Sequence, residues 1–495
     1  MSLSRRDFVR LAGAIAGAAA ASSACAPLAG ELTGAYRAPG GWTELAPADY
    51  RGLARLTYGP TETETSFVAE HGLAAWIEEQ LGLEITDDLP AEGLLRRFDL
   101  LRMQADQLEG WEPEEVLGQL RAASLQRQLY SRRQLHERLI EFWTDHFNIS
   151  VDKGECWFLK VVDDRQVIRA HAQGRFADLL HASAKSPAML VYLDNQVNEA
   201  SAPNENYARE VMELHTLGVD GGYSQRDVME LARCLTGWTV KDHFWKGQFA
   251  FEPDLHDKGS KQVLGMAIEQ AGVVEAERVL DELGAHPATA EHLATKLVRR
   301  FVTDHPLEDA PEAVRAVSRT FLQAGGHLPS VYRTLLLDGL VPQLDQLPPK
   351  IKRPVDFITS ALRPLAAHSD GGASLHDHLA LMGQPTFAWP TPDGPPDTAD
   401  PWSGNLLPRW QFALELAQDE VDGTSIDIDA LVEQAQRDEG HIADSLSQRL
   451  VGSPAGRGMQ SALGQIRRQT DELDPQDMAR LLVAGLIGSP QFQWR

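Results

Sequence analysis

Apolar residues recur at helical spacing along almost the whole chain from residue 53 onward, and this pattern constrains the fold more than any other feature. The clearest segments run from Phe67 to Leu81, from Leu94 to Met103, from Glu114 to Tyr130 and from Gln134 to Phe147. Good helix formers dominate these segments, chiefly Ala, Leu, Glu, Gln and Arg. The sequence therefore predicts an all-α protein, a large multi-helix globular domain with long ordered loops.

Two stretches depart from the helical pattern. Residues between Trp238 and Phe251 are predicted to form at most a small β-hairpin. Residues 385–408 contain seven prolines together with Trp389 and Trp402, so this proline-rich segment is predicted not to be helical. Because buried aromatic rings hold a loop against a surface, we expect a long ordered loop, with a flexible linker as the alternative.

The first 24 residues are predicted to be a twin-arginine signal peptide. Residues 4–10 match the pattern Ser-Arg-Arg-x-Phe-x-Arg, with Arg5 and Arg6 as the arginine pair. The uncharged apolar stretch that follows, residues 11–21, is shorter than the about 20 residues that a membrane-spanning helix needs. A charged start, a short apolar stretch and a small-residue end are typical of an export signal that is removed.

The site of signal cleavage has two interpretations. The sequence Ser-Ser-Ala-Cys at residues 22–25 resembles a lipoprotein cleavage site, which makes Cys25 the expected lipidated residue. Ordinary cleavage close to Cys25 is the alternative. Residues 25–49 are predicted to be a tether, because they are rich in Pro and Gly, and residues 50–495 the helical domain. The expected location is the periplasm, either free or as a membrane-anchored lipoprotein.

The charge and the cysteines restrict the partners and the chemistry. With 46 basic and 71 acidic residues the net charge is -25, which disfavours nucleic acid and anionic lipid as partners. Membrane contact is therefore expected only through a lipid anchor. Cys156 and Cys234 form either a disulfide or two small buried hydrophobic side chains. The sequence has no CxxC, HExxH, GxSxG, Walker or Rossmann glycine pattern.

Several motifs resemble a known family. The longest reads YLDN at residues 192–195, PNENYAREVMELHTLG at residues 203–218, YSQRDV at residues 223–228 and TGW at residues 236–238. This block is similar to the hallmark of the bacterial domain of unknown function 1800 family, with mild departures at Val211 and Ser224. Further matching segments are Phe142–Asn148, His256–Lys261, Leu264-Gly265, Lys352–Pro354, Gly383–Pro385 and Ser489–Phe492.

The resemblance covers roughly residues 53–495 and carries limited functional information. The family has no established activity, so the resemblance brings no catalytic residues. It implies export and a frequent genomic association with a second exported family that resembles sulfatases and phosphatases. That protein is the expected partner.

A helix predicted to begin with Asn204 as its N-cap contains a candidate site. On a regular helix Asn206, Glu210 and Glu213 share one face. Two carboxylates and an amide in this arrangement suit a hard cation or an acid–base pair. The alternative is an ordinary ion pair between Arg209 and Glu213 on a solvated face.

Two further segments carry candidate catalytic groups. His146 ends an aromatic-rich helix, a position that tunes an imidazole pKa, or it forms a helix cap. His256 and Asp257 lie in a predicted loop, where they are suited to ligate a metal or relay protons. The alternative for this loop is a turn with solvated charges.

These observations favour an exported envelope enzyme that depends on a cation or on acid–base chemistry. Its predicted catalytic residues are His146, Glu210, Glu213, His256 and Asp257, and its cofactor, if any, is a divalent cation. The alternative is a non-enzymatic envelope scaffold, or a partner of the neighbouring sulfatase-like exported protein. An enzyme requires the three segments to converge in one concave pocket, whereas a scaffold does not.

Overall fold

The computed structural model describes residues 42–82, 88–243, 246–437, 442–455 and 474–495. The predicted signal peptide, the lipidation candidate Cys25 and the tether up to residue 41 lie outside these residues. No helix within the described ranges is both long enough and apolar enough to cross a membrane.

The described chain is mainly helical, as predicted. Helices α1 to α25 are, in chain order, Pro47–Leu56, Glu62–His71, Leu73–Leu81, Leu89–Leu95, Ala105–Leu108, Pro113–Tyr130, Gln134–His146, Cys156–Asp163, Arg169–His171, Phe176–Ala184, Pro187–Tyr192, Asn206–Glu210, Gln225–Cys234, Val274–Ala285, Pro287–Phe301, Pro306–Asp309, Pro311–Gln323, Leu328–Arg333, Pro354–Leu362, Ala373–Leu381, Asp400–Ser403, Leu406–Ala417, Ile428–Arg437, Ile442–Val451 and Pro475–Ile487. Strands β1 to β6 are Trp238–Val240, Phe249–Phe251, Lys261–Val263, Met266–Ile268, His368–Ser369 and Thr424–Ser425.

Shorter helical turns complete the secondary structure. π-Helical turns extend three helices, at Asp164–Ile168 after α8, Val211–His215 after α12 and Thr334–Leu340 after α18. The 3-10 turns are Asp99–Arg102, Asn195–Val197, Val341–Gln343 and Gln491–Gln493.

Two predicted helices are each interrupted. The segment from Phe67 to Leu81 forms α2 and α3, because Gly72 between them adopts a φ of 84°, a left-handed conformation that ends a helix. The segment from Leu94 to Met103 forms only the end of α4 and a 3-10 turn. The long helices α6 and α7 begin and end within one residue of the predicted bounds, and α6 starts at Pro113, where a missing N–H costs nothing.

The predicted hairpin is present. Strands β1 and β2 pair antiparallel, with Trp238 opposite Phe251. Two further antiparallel pairs go beyond the prediction, β3 with β4 and β5 with β6. These pairs are two or three residues long, so within the described chain the fold remains a helical one.

The buried apolar residues form two large clusters. Helices α1 to α3 and most of the chain from α7 to α18 build the larger one. The smaller one contains α19, α20 and α22 to α25, joined by the C-terminal half of α6. Helix α7 belongs to the first cluster and α19 to the second, so charged residues on these two helices face each other at the boundary.

The proline-rich segment is anchored to the domain. The amide of Asn148 donates to the carbonyl oxygens of Trp389 and Thr391 at 3.0 Å and 2.8 Å. The Trp402 side chain is buried, and its indole N–H donates to the carbonyl of Pro396 at 2.9 Å. The prediction that residues 385–408 contain no helix is wrong, because α21 lies within them and α22 begins there. Pro401 and Pro408 lie in the first turns of these two helices, where the missing N–H has no helical partner.

The two described cysteines do not pair. Cys156 and Cys234 are both buried and both free. Their interpretation as small buried hydrophobic side chains is therefore confirmed, and the disulfide alternative is wrong.

Candidate functional site

Asparagine side chains fasten the segment that precedes α12. The amide of Asn195 donates to the carbonyl of Trp238 at 3.0 Å, and that of Asn206 donates to the carbonyl of Leu193 at 3.2 Å. The side-chain oxygen of Asn204 accepts a hydrogen bond from the backbone N–H of Asn206 at 2.9 Å. The N-cap of α12 is Glu205, however, and not Asn204 as predicted. The asparagines therefore satisfy buried backbone groups of a loop.

Helix α12 does not continue as a regular helix. It ends at Glu210 and passes into the π-helical turn Val211–His215, so the predicted α-helical spacing between Glu210 and Glu213 is wrong. Arg209 forms ion pairs with Glu213 at 3.4 Å and with Glu205 at 3.1 Å. Glu213 therefore fits the alternative interpretation, in which this face of the helix is an ion-paired surface.

Glu210 is the remaining carboxyl of the predicted set. It is half-buried and forms no ion pair with any described residue. Burial raises the pKa of Glu210, and the neighbouring carboxylates of Glu213 and Asp393 raise it further, against the opposing charge of Arg209. A catalytic role of Glu210 stays a prediction.

His146 is enclosed rather than placed at a surface. Its Nε2 lies 3.2 Å from the carbonyl oxygen of His215, and its ring lies among the rings of Trp143 and Phe147 at centroid distances of 5.2 Å and 4.6 Å. Burial lowers the pKa of His146 well below its ordinary value, and Lys296 contributes to the same shift. The imidazole is therefore neutral at physiological pH.

His256 and Asp257 belong to a separate group of ion pairs. Nδ1 of His256 donates to the carbonyl oxygen of Thr236 at 2.8 Å, and its Nε2 lies 3.2 Å from Glu275. Asp257 accepts two hydrogen bonds from Arg233, at 2.7 Å and 3.1 Å, and these bonds chiefly lower the pKa of Asp257 to about 2. Both residues thus fasten the loop before β3 to helices α13 and α14.

The predicted segments meet only in part. His146 contacts His215, which follows α12, whereas the contacts of His256 and Asp257 run to other residues. A single pocket formed by all three segments stays a prediction. Among the residues that the structure describes, no three His, Cys, Asp or Glu side chains are grouped to hold a metal ion.

A buried charge network lies at the boundary between the two apolar clusters. We define it by Glu141, Asp145, Arg300, Arg353 and Asp397. Arg353 donates to Glu141 and to Asp145, each at 2.8 Å. Arg300 lies 2.9 Å from Glu141 and 2.5 Å from Asp397. The network joins α7, α15, the start of α19 and the proline-rich segment.

A cleft of about 70 Å³ borders this network beneath the proline-rich segment. Asp145, Asn148, Arg353, Gln384 and Trp389 are among the residues that line it. The Asp145 side chain keeps 20% of its surface exposed. It is the most accessible carboxylate of the charge network.

The Asp145 carboxyl is a weaker acid than an ordinary aspartic acid. Burial, reinforced by the negative charges of Glu141 and Asp397, raises the pKa of Asp145 to about 6, although Arg353 and Arg300 oppose the shift. By contrast, Arg300 and Arg353 outweigh burial at Asp397, whose pKa is lowered to about 2. Within one network, therefore, one carboxyl exchanges its proton near neutral pH while its neighbour stays ionised.

No residue of the charge network is among the catalytic residues that the sequence predicts. A signal for it existed, since Asp145 lies in the segment Phe142–Asn148 and Arg353 in Lys352–Pro354, both of which carry the family resemblance. Gln384 of the segment Gly383–Pro385 lines the same cleft. Three of the resembling segments thus converge at one place.

The comparison with known proteins agrees with that resemblance. The sequence model of the family described as "Protein of unknown function (DUF1800)" matches residues 51–494. Because the match spans nearly the whole chain, this protein belongs to the DUF1800 family. No curated protein and no solved structure matches the chain.

Proposed function

We propose that this member of the DUF1800 family is exported through the twin-arginine route and acts in the bacterial envelope as an acid–base enzyme. Asp145 is the proton-transferring group. The single observation that carries the proposal is the position of the Asp145 carboxyl. It borders a cleft and remains partly exposed, although it forms ion pairs with Arg353 and Arg300.

The cleft limits the kind of reaction. Its volume of about 70 Å³ exceeds the roughly 10–15 Å³ that one water molecule needs, so water has room beside Asp145. A carboxyl with a pKa near the working pH transfers protons efficiently in both directions. Together these features fit the hydrolysis of a substrate, with Asp145 accepting a proton from water or donating one to the leaving group.

The proline-rich segment covers this site. Trp389 and Pro395 of this segment line the cleft, so a substrate bound beside Asp145 contacts the segment. Glu210 is a second acid–base candidate, since it lies close enough to Asp393 of the same segment for their charges to interact. The proposal gives no catalytic role to His256 or Asp257, because neither residue lines the cleft beside Asp145.

The proposal is tested by activity on a panel of chromogenic esters, glycosides, and phosphate and sulfate monoesters. We expect the mature protein to turn over at least one class and Asp145→Asn to lower that turnover about 100-fold or more. Asp99→Asn serves as the matched control, because the Asp99 side chain is 77% exposed. Turnover that survives in Asp145→Asn, or no turnover of any class by the unmodified protein, would contradict the proposal.

An exposed apolar stripe favours a second candidate function, the non-enzymatic scaffold. Leu407, Trp410 and Leu414 on one face of α22 are 73%, 48% and 53% exposed. Exposed apolar patches often mark interaction sites, and the expected partner is the sulfatase-like exported protein. Under this alternative the two proteins co-elute in size-exclusion chromatography, and Trp410→Ser with Leu414→Ser abolishes co-elution while Asp145→Asn leaves it unchanged.

A further inference from the structure

A second cavity is lined by buried positive charge. It has a volume of about 180 Å³ and borders the side chains of Arg138, Lys352 and Arg495. The carboxylate at this cavity is Asp356. Arg51 also lines the cavity but is paired with Asp345 outside it. Three buried cationic side chains therefore surround one carboxylate in a protein whose overall net charge is -25.

The cations are not balanced within the cavity wall. Asp356 accepts hydrogen bonds from both Arg138 and Arg495, the latter at 3.0 Å. Lys352 forms no ion pair with a carboxylate in the part of the chain that the structure describes, and its ammonium lies 3.3 Å from the centroid of the Phe492 ring. The Lys352 side chain thus lacks an anionic partner among the described residues.

The side chains of Lys352 and Arg495 are deeply buried. Lys352 is 5% exposed and Arg495 is 7% exposed. The Nε of Arg495 is buried without a hydrogen-bond partner among the described residues. Burial lowers the pKa of Lys352 well below its ordinary value, and Arg495 adds to the shift while Asp356 opposes it. Buried polar groups without partners are uncommon in folded proteins, and each calls for an acceptor.

The rest of the cavity wall combines apolar surface with a few polar side chains, among them Thr57, Ser360 and Gln491. Tyr50, Ala54, Leu450 and Val451 contribute aromatic and aliphatic surface, and Trp494, which is 41% exposed, also lines the cavity. A cavity of about 150 Å³ admits benzene, so this one has room for a ring-sized apolar body. Apolar walls with a few polar groups are typical of sites for small organic ligands.

We propose that this cavity binds a small organic carboxylate, whose oxygens meet Lys352 and Arg495 and whose apolar body contacts the aliphatic and aromatic wall. The site is independent of the proposed function, because neither Asp145 nor the cleft beside it contributes to it. Guanidinium and ammonium groups bind a carboxylate through charge-assisted hydrogen bonds. A bound carboxylate supplies the missing negative charge.

The test uses benzoate, its neutral analogue benzamide, and inorganic phosphate as probes of the mature protein in isothermal titration calorimetry. We expect benzoate to bind, and benzamide to bind about tenfold more weakly or less, because it lacks the charge. Lys352→Met should weaken benzoate binding by a similar factor and leave benzamide binding unchanged. Lys153→Met is the matched control, since Lys153 is paired with Asp194 at the surface.

Other outcomes would overturn the proposal. Equal binding of benzoate and benzamide would show that charge is not recognised. If phosphate displaced benzoate with equal affinity, the cavity would bind anions without recognising an organic group, and the proposal would be wrong. Should Lys352→Met not fold, Lys352→Gln keeps a polar group in place, and unchanged benzoate binding by either variant would contradict the assignment.

Discussion

Arg353 binds Asp145 across 208 positions of sequence, with its Nη1 2.8 Å from Oδ2 of the carboxylate. The same guanidinium donates to Glu141, one turn earlier on α7, at 2.8 Å. Arg353 therefore joins the helix that carries Asp145 to the start of α19, which belongs to the other apolar cluster. This bridge holds Asp145 at the cleft, so disturbing it changes both the fold and the site.

Asp145→Asn should flatten the dependence of stability on pH between about pH 4 and 6. The pKa of Asp145 is raised to about 6 in the folded protein, against an ordinary value of about 3.9. The protonated form therefore stabilises the fold below about pH 4, and this contribution disappears as the pH rises through 6. The unmodified protein should lose about 3 kcal/mol relative to the variant over this range. Urea unfolding at several pH values measures the difference, and parallel curves would refute the raised pKa.

The sequence predicts the helical fold well because its signals are local. The apolar spacing and the proline at position 113 place α6 within one residue of its observed start. The apolar spacing does not indicate the break at Gly72, since apolar residues on both sides continue the helical spacing through it. A left-handed glycine leaves no trace in hydrophobic periodicity.

The candidate site was harder to predict because its charges are paired over long distances. Asp257 and Glu213 have the residue types of a catalytic group, but Arg233 and Arg209 occupy them in ion pairs. Asp145 looked ordinary in sequence, although its partners Arg300 and Arg353 make it unusual. Only the tertiary structure shows that Asp145, which is itself ion-paired, also borders a cleft.

Two buried lysines should respond in opposite ways to replacement by Met. Lys160 is paired with Asp163 at 2.7 Å, so Lys160→Met leaves a buried carboxylate uncompensated and should lower the free energy of unfolding by about 3 kcal/mol. Lys352 has no carboxylate partner among the described residues, so Lys352→Met removes a buried polar group without leaving a carboxylate uncompensated, and it should leave stability unchanged or raise it. Urea denaturation of both variants gives the comparison. Equal destabilisation by the two changes would show that Lys352 is compensated.

The arginine pair at the N-terminus should be required for export. We expect the double change Arg5→Lys and Arg6→Lys to leave the protein in the cytoplasm, because both arginines belong to the twin-arginine pattern. Immunoblots of cytoplasmic and periplasmic fractions measure the distribution, and Arg10→Lys, which keeps the pattern, is the control. Normal export of the double variant would refute this prediction.

Cys25 should anchor the exported protein to a membrane. Cys25→Ser removes the thiol that lipidation needs, so the mature chain should move from the membrane fraction to the soluble one, since stable anchoring depends on the acyl chains. Membrane flotation of the unmodified protein and the variant gives the result. Retention of Cys25→Ser in the membrane fraction would exclude lipidation as the anchor.

Asn148→Ala should release the proline-rich segment from the domain. The Asn148 amide donates to the carbonyls of Trp389 and Thr391, and losing both bonds should lower the free energy of unfolding by about 1–3 kcal/mol. Limited chymotrypsin digestion should then cut after Phe387 faster than in the unmodified protein. Asn206→Ala is the matched control, because its amide donates to the carbonyl of Leu193 instead. That variant should lose stability without faster cleavage at Phe387, and equal cleavage rates in all three proteins would show that Asn148 does not hold the segment in place.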